Sequence, residues 1–188
     1  MRVISGTAKR VGLVAPQGQS TRPTADMAKE SLFNIIGADI PQARFLDLFC
    51  GSGAIGLEAL SRGAAEAALV DSSKDAMAAT AQNLEKTRLT PRATLWPMPA
   101  AKAIMQMDAC GQVFDIIFLD PPYDTDLLSQ TLDLLGESGL LAPGGMIIAE
   151  ADAKLYKANP AAPPKTLKLT SERVYGRTCF LFYRRDPA

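Results

Sequence analysis

The sequence predicts an α/β protein, with a Rossmann-like and mostly parallel sheet, an antiparallel pair at its C-terminal edge and a small N-terminal hairpin-helix extension. Three observations predict it. From residue 44 onward, short apolar runs alternate with stretches of helical periodicity. A glycine-rich turn, Gly51-x-Gly53-x-x-Gly56, joins the first of those runs to the first of those helices. Past residue 165 the rhythm breaks, and two strand-like runs follow one another around Tyr175-Gly176.

Taken in order, residues 2–5 and 11–14 read as a hairpin. "TRPTADMAKESLFNII" (21–36) reads as a helix, with Thr24 as its N-cap and Leu32, Phe33, Ile35 and Ile36 as apolar anchors. Residues 1–43 therefore form one unit, and residues 44–188 form the α/β domain. Within that domain the strands are expected at 45–49 (FLDLF), 67–71 (AALVD), 93–96 (ATLW), 114–119 (FDIIFL) and 145–150 (GMIIAE). Helices fall near 54–62, 73–87, 100–107 and 126–135. Strands that alternate with helices pair in parallel and are covered on both faces. "NPAAPP" (159–164) is a loop, and 166–174 with 178–184 form the edge pair.

Composition narrows the chemistry. At 188 residues and 47% apolar content the chain holds one domain with a real core. No apolar run reaches the length of a membrane span and the first residues lack a signal-peptide core, so the cytoplasm is the expected compartment. Cys50, Cys110 and Cys179 are far apart and odd in number, which indicates neither a disulfide framework nor a zinc site. There is no histidine, so the chemistry must proceed without imidazole. The net charge is zero but unevenly spread. Residues 1–30 carry five Lys/Arg against two acids, and residues 154–188 carry eight against two. Basic ends on an acidic body suit an anionic partner; they equally suit a solvated surface.

The glycine turn allows close approach of backbone to a ligand, with a helix N-terminus behind it. Asp71, at the end of the next strand, stands where a carboxylate grips ribose hydroxyls. Together they point to a nucleoside cofactor. NAD is disfavoured, because no Tyr-x-x-x-Lys pair and no histidine is present to work beside a nicotinamide. Asp47, just ahead of the glycines, would repel a pyrophosphate but suits a ligand with an ammonium group. S-adenosylmethionine (SAM) has that ammonium, a sulfonium and no phosphate. Its expected contacts are Asp47, Phe49, Gly51, Ser52, Gly53, Asp71, Ser72, Ala100 and Asp120.

"DPPY" (120–123) closes the run at 114–119. Two prolines end a strand, and the carboxyl ends of strands are where open α/β sheets bind ligands. An exocyclic amine of a nucleobase is a poor nucleophile, because its lone pair is delocalised into the ring. The Asp120 carboxylate and the Pro121 carbonyl can accept its two N–H groups, and the prolines preorganise both acceptors. The Tyr123 ring offers a stacking surface worth roughly 1–3 kcal/mol. Asp120, Pro121 and Tyr123 are thus the candidate catalytic residues. The same local chemistry serves guanine N2 and adenine N6, on RNA or on DNA. A protein-amide methyltransferase would carry Asn in place of Asp120. A non-catalytic nucleoside-cofactor or RNA-binding module is the remaining alternative.

Over nearly its whole length the chain resembles the RsmD family of SAM-dependent 16S ribosomal RNA guanine-N2 methyltransferases. The resemblance rests on "RVISG" (2–6), "TRPTAD" (21–26), "KESLFNII" (29–36), "DLFCGSGAIGLEALSRGA" (47–64), "FLDPPY" (118–123) and the late "YG" (175–176). It implies a class I methyltransferase fold that acts as a monomer on a particle of the small ribosomal subunit. It also implies RNA contact through the N-terminal unit, at Arg22, Pro23 and Thr24. Charge adds Arg2, Arg10 and Lys29 to that face. Met27 and Lys29 stand where family members often carry arginine. Pro99 stands where they carry an acid that holds the adenine amine, so a backbone contact from Met98 or Ala100 is expected instead.

Overall fold

The computed structural model describes residues 1–16, 23–123, 126–158, 160 and 164–185. The chain divides into two units, Met1–Pro99 and Ala100–Ala188.

The first unit opens with a hairpin-like segment. Arg2 bridges Gly12 in antiparallel fashion, and the Val3 N–H donates to the Val11 carbonyl at 3.0 Å. Helix α1 (Pro23–Ile35) follows. It begins at Pro23, whose missing N–H costs nothing in the first turn. Thr24 therefore lies inside the helix and is not its cap, a correction to the sequence reading. Ala28, Leu32 and Phe33 bury one face of α1, with Ile36 just past its end, whereas Ile35 is 41% exposed and is no anchor. Burying a side chain such as Leu32 or Phe33 contributes about 1.5–3 kcal/mol.

Strands β1 (Arg44–Asp47), β2 (Glu66–Val70) and β3 (Ala93–Trp96) pair in parallel, in the order β3-β2-β1. They alternate with helices α2 (Ala54–Ser61) and α3 (Lys74–Thr87). The first strand stops two residues earlier than its apolar run, because Leu48 and Phe49 already turn into the glycine loop. Ser73 caps α3 through its hydroxyl, which accepts the Ala76 N–H at 3.3 Å. Arg88 ends the helix in the left-handed region, at φ 58°. At Gly56 of α2 a Cβ would stand 2.2 Å from Leu69 Cδ2. Glycine there lets the helix pack closely on β2.

The second unit holds α4 (Ala100–Ala109), β4 (Phe114–Leu119), α5 (Leu127–Glu137), β5 (Leu141–Asp152), α6 (Ala153–Ala158), β6 (Leu167–Tyr175) and β7 (Thr178–Arg185). Strand β4 pairs in parallel with β5, β5 antiparallel with β7, and β7 antiparallel with β6. Strand β5 starts four residues before the apolar run that announced it. Leu141 already pairs with Phe114, then the register shifts and Ile116 pairs with Met146. Gly144, at φ 76°, permits that bulge. The tail hairpin turns at Gly176-Arg177, with Tyr175 opposite Thr178. No helix among the described residues is long and apolar enough to cross a membrane.

Candidate active site

Two places carry chemistry, one in each unit. In the first unit the loop between β1 and α2 is built by backbone constraint. Gly51 and Gly53 have φ of 53° and 78°, a region that residues with a Cβ enter only with strain. A Cβ on Gly53 would meet Leu57 Cδ1 at 2.7 Å, whereas one on Gly51 would meet nothing within 4 Å. Gly51 thus borders open space. Its carbonyl accepts the Thr80 hydroxyl at 2.8 Å, and the Ser52 carbonyl accepts Asn83 Nδ2 at 2.9 Å. Helix α3 supplies both donors from one face, three residues apart.

Asp71 stands just past β2 and is half-buried. Its Oδ2 accepts the Gly51 N–H at 2.9 Å and its Oδ1 accepts the Ser73 N–H at 2.8 Å. The carboxylate shapes the loop and keeps lone pairs for hydroxyl donors. Asp47 is 1% exposed, and neither of its carboxyl oxygens has a well-formed hydrogen bond. Burial pushes its carboxyl up to about 7; the nearby amides of Phe49 and Gly56 pull the other way, and the charge of Asp71 adds to the rise. A buried, unpartnered carboxyl beside open space at a glycine turn fits a ligand with an ammonium group and a ribose. Phe49 is half-buried and Ser72 is exposed. Groups of two expected contacts have partners within the protein. The Ser52 side chain is buried with its hydroxyl 3.5 Å from Met1 Sδ, so it faces the N-terminal segment. The Met98 N–H is committed to the Trp96 carbonyl at 2.9 Å, which removes it as a donor to an adenine.

In the second unit Asp120, Pro121 and Tyr123 follow β4. Asp120 is exposed, Pro121 is buried and the Tyr123 side chain is 42% exposed. The register that sets Leu119 beside Ala149 carries Asp120 and Glu150 to the same end of their two strands. Tyr123 Oη donates to Glu150 Oε1 at 2.9 Å, and the Thr178 hydroxyl reaches the same oxygen at 3.4 Å. Burial raises the Glu150 carboxyl above its ordinary range, against those two donors. The Tyr123 hydroxyl is held far above its usual range by burial first, then by the charges of Asp120 and Glu150. It stays a neutral donor. Ala100 is buried at the start of α4. Sequence reasoning missed Glu150, although it ends "GMIIAE" just as Asp120 ends its own strand.

Of the basic residues expected at an RNA face, Arg2 and Arg10 are exposed. Arg22 lies outside the described residues, as do the side chains of Pro23 and Thr24. Lys29 is a correction. It is 5% exposed, its Nζ donates to the Arg2 carbonyl at 2.7 Å, and it pairs with the fully buried Glu58 at 3.5 Å. Glu58 also accepts the N–H groups of Ile4 and Ser5 and the Arg62 guanidinium. A buried carboxylate needs this cation, so Lys29 turns inward. In the tail, Arg177 pairs with Asp152 at 2.9 Å, and Arg185 donates to the carbonyls of Gly136 and Ser138. Part of the basic tail is therefore structural.

A family model described as "Conserved hypothetical protein 95" matches residues 1–184. Ribosomal RNA small subunit methyltransferase D of Escherichia coli is 34% identical over 99% of this chain and 90% of its own length. The chain belongs to the RsmD family. Another relative, the YlbH protein of Bacillus subtilis, is 39% identical over 98% of this chain and 99% of its own. The solved structure of Escherichia coli yhhF superposes with a TM-score of 0.84 at 33% identity, covering 100% of this chain and 99% of that one. The expected class I methyltransferase fold of the family is the fold found here, with its mostly parallel strands and antiparallel C-terminal pair.

Proposed function

We propose that this protein methylates the exocyclic N2 amine of a guanine in small-subunit (16S) ribosomal RNA, with SAM as donor. The observation that carries the reading is the Asp120–Tyr123 turn at the carboxyl end of β4, its ring fixed by Glu150. When bound, SAM supplies an electrophilic methyl group on its sulfonium. The protein's part is to hold and to orient. Asp47, the Gly51–Gly53 turn and Asp71 take the amino-acid and ribose parts of the cofactor, with Phe49, Ser72 and Ala100 at its margins. Asp120 and the Pro121 carbonyl accept the two N–H groups of the amine, which frees the nitrogen lone pair for attack. Asp120 or water would take the proton that the amine releases as it gains the methyl group, the S–C electron pair remaining on sulfur. Tyr123 stacks on the base.

Residues 1–43 would act as the RNA-contacting extension and 44–188 as the methyltransferase domain. Arg2, Arg10 and Arg22, with Pro23 and Thr24, would meet the RNA backbone. The substrate is proposed to be an assembled or assembling small subunit in the cytoplasm, and the enzyme a monomer.

The test is transfer of labelled methyl from SAM to small subunits and to naked 16S RNA, followed by nucleoside digestion. N2-methylguanosine is expected, with particles preferred. N6-methyladenosine would overturn the choice of base, and no transfer to either substrate would overturn the enzyme.

A further inference from the structure

Asn83 of α3 is fully buried, and no part of the proposed chemistry uses it. Its carboxamide makes three hydrogen bonds. Oδ1 accepts the Val14 N–H at 2.7 Å, and Nδ2 donates to the Val14 carbonyl at 2.9 Å and to the Ser52 carbonyl at 2.9 Å. Val14 and Asn83 are 69 residues apart in the chain. One amide thus closes both backbone groups of a residue in the N-terminal segment and, with its second N–H, holds the glycine loop. The orientation is fixed by the contacts themselves, since only the oxygen can face the Val14 N–H.

Other contacts join the same two places. Ser52 Oγ meets Met1 Sδ, and the Met1 carbonyl accepts the Leu13 N–H at 3.1 Å. Lys86, one turn along α3 from Asn83, donates to the Gly12 carbonyl at 2.7 Å. Glu58, on the helix that follows the glycine loop, accepts the N–H groups of Ile4 and Ser5 at 2.7 and 3.0 Å. The first sixteen residues are therefore bonded to the loop and to the two helices that flank it.

We propose that Asn83 is a positioning residue for cofactor binding, and that it makes the N-terminal segment a working part of the cofactor loop. The inference rests on the reading of the Gly51–Gly53 turn as the SAM site. Its physical basis is preorganisation. The loop's carbonyls must point away from the ligand so that Gly51's open side faces it, and a carbonyl held by a buried donor stays in that position. If the segment is released, the loop must order itself at the moment of binding. By linkage, whatever seats the segment, including an RNA lying on Arg2 and Arg10, then strengthens cofactor binding, and the cofactor strengthens RNA binding by the same factor.

The test is calorimetric titration of the whole protein with S-adenosylhomocysteine, alongside its thermal unfolding without ligand. Asn83→Asp keeps the acceptor for Val14 and loses both donations. Val14→Pro removes the N–H from the other side and leaves the loop and α3 untouched. Val14→Pro should weaken binding about tenfold, the change expected when one buried hydrogen bond is left unmade, and Asn83→Asp, which loses two, should weaken it at least as much. Lys86→Ala, at the surface, should weaken it about twofold to threefold. Should Asn83→Asp fail to fold, Val14→Pro decides alone, since Val14 lies in a half-exposed segment. Variants that melt earlier yet bind as tightly as the wild type would overturn the inference and leave Asn83 a core residue. A wild-type protein that binds no S-adenosylhomocysteine would instead overturn the reading of the loop.

Discussion

Tyr123 Oη lies 2.9 Å from Glu150 Oε1, a bond that ties the turn after β4 to the neighbouring strand. The hydroxyl serves here as a donor, so removing it costs an orientation and leaves the ring. Tyr123→Phe should raise KM for RNA about threefold to tenfold while SAM affinity holds. Glu150→Ala, which removes the acceptor, should do much the same, and the double variant should be no worse than either single one. Additive losses in that cycle would show that the two residues act apart.

Asp120→Ala should lower the rate of methyl transfer on the order of a hundredfold, about 3 kcal/mol in the barrier, because one preorganised acceptor is gone. Cofactor binding should persist. Single-turnover rates with saturating SAM measure this directly, and an unimpaired variant would remove Asp120 from the chemistry.

Asp71→Ala strips the Gly51 and Ser73 N–H groups of their shared acceptor. SAM binding should weaken by roughly 1.5–3 kcal/mol, from the charge-assisted bonds lost. Titration calorimetry reads it. Unchanged affinity would reassign the cofactor site.

Asp47 is an acid whose folded value, about 7, stands above its unfolded value of 3.8. The folded state thus holds its proton more tightly. The stability this confers is complete below about pH 4 and is lost as pH rises through about 7. Asp47→Asn escapes the loss, so without cofactor its Tm should gain on the wild type between pH 5 and pH 8. It should also bind SAM more weakly. Scanning calorimetry at the two pH values checks the first part; a gap that does not widen would mean that the carboxylate has a partner in solution.

Lys29→Met and Arg10→Ala separate the structural cation from the proposed RNA-facing one. Lys29→Met leaves Glu58 without one of its buried partners and should cost about 1–3 kcal/mol of stability, with the salt dependence of RNA binding unchanged. Arg10→Ala and Arg22→Ala should each lower that salt slope by about one unit at little cost in Tm. The reverse pattern would place RNA on Lys29.

The order of strands and helices, the glycine turn, the strand-end "DPPY" and the C-terminal pair could all be read from the sequence. Each is written in short-range terms: the period of apolar residues, a positive φ that glycine allows, prolines that stop a ladder. Tertiary structure alone decided which side chains meet. Lys29 faces Glu58 and not solvent, Tyr123 reaches Glu150 across 27 residues, and Asn83 reaches Val14 across 69. Those pairings depend on strand register and on which face of a helix turns inward. Both are set by the summed packing of buried residues within each unit, such as Leu32, Phe33, Leu46 and Leu57 in the first and Phe118 in the second, and no local window of the sequence contains that sum.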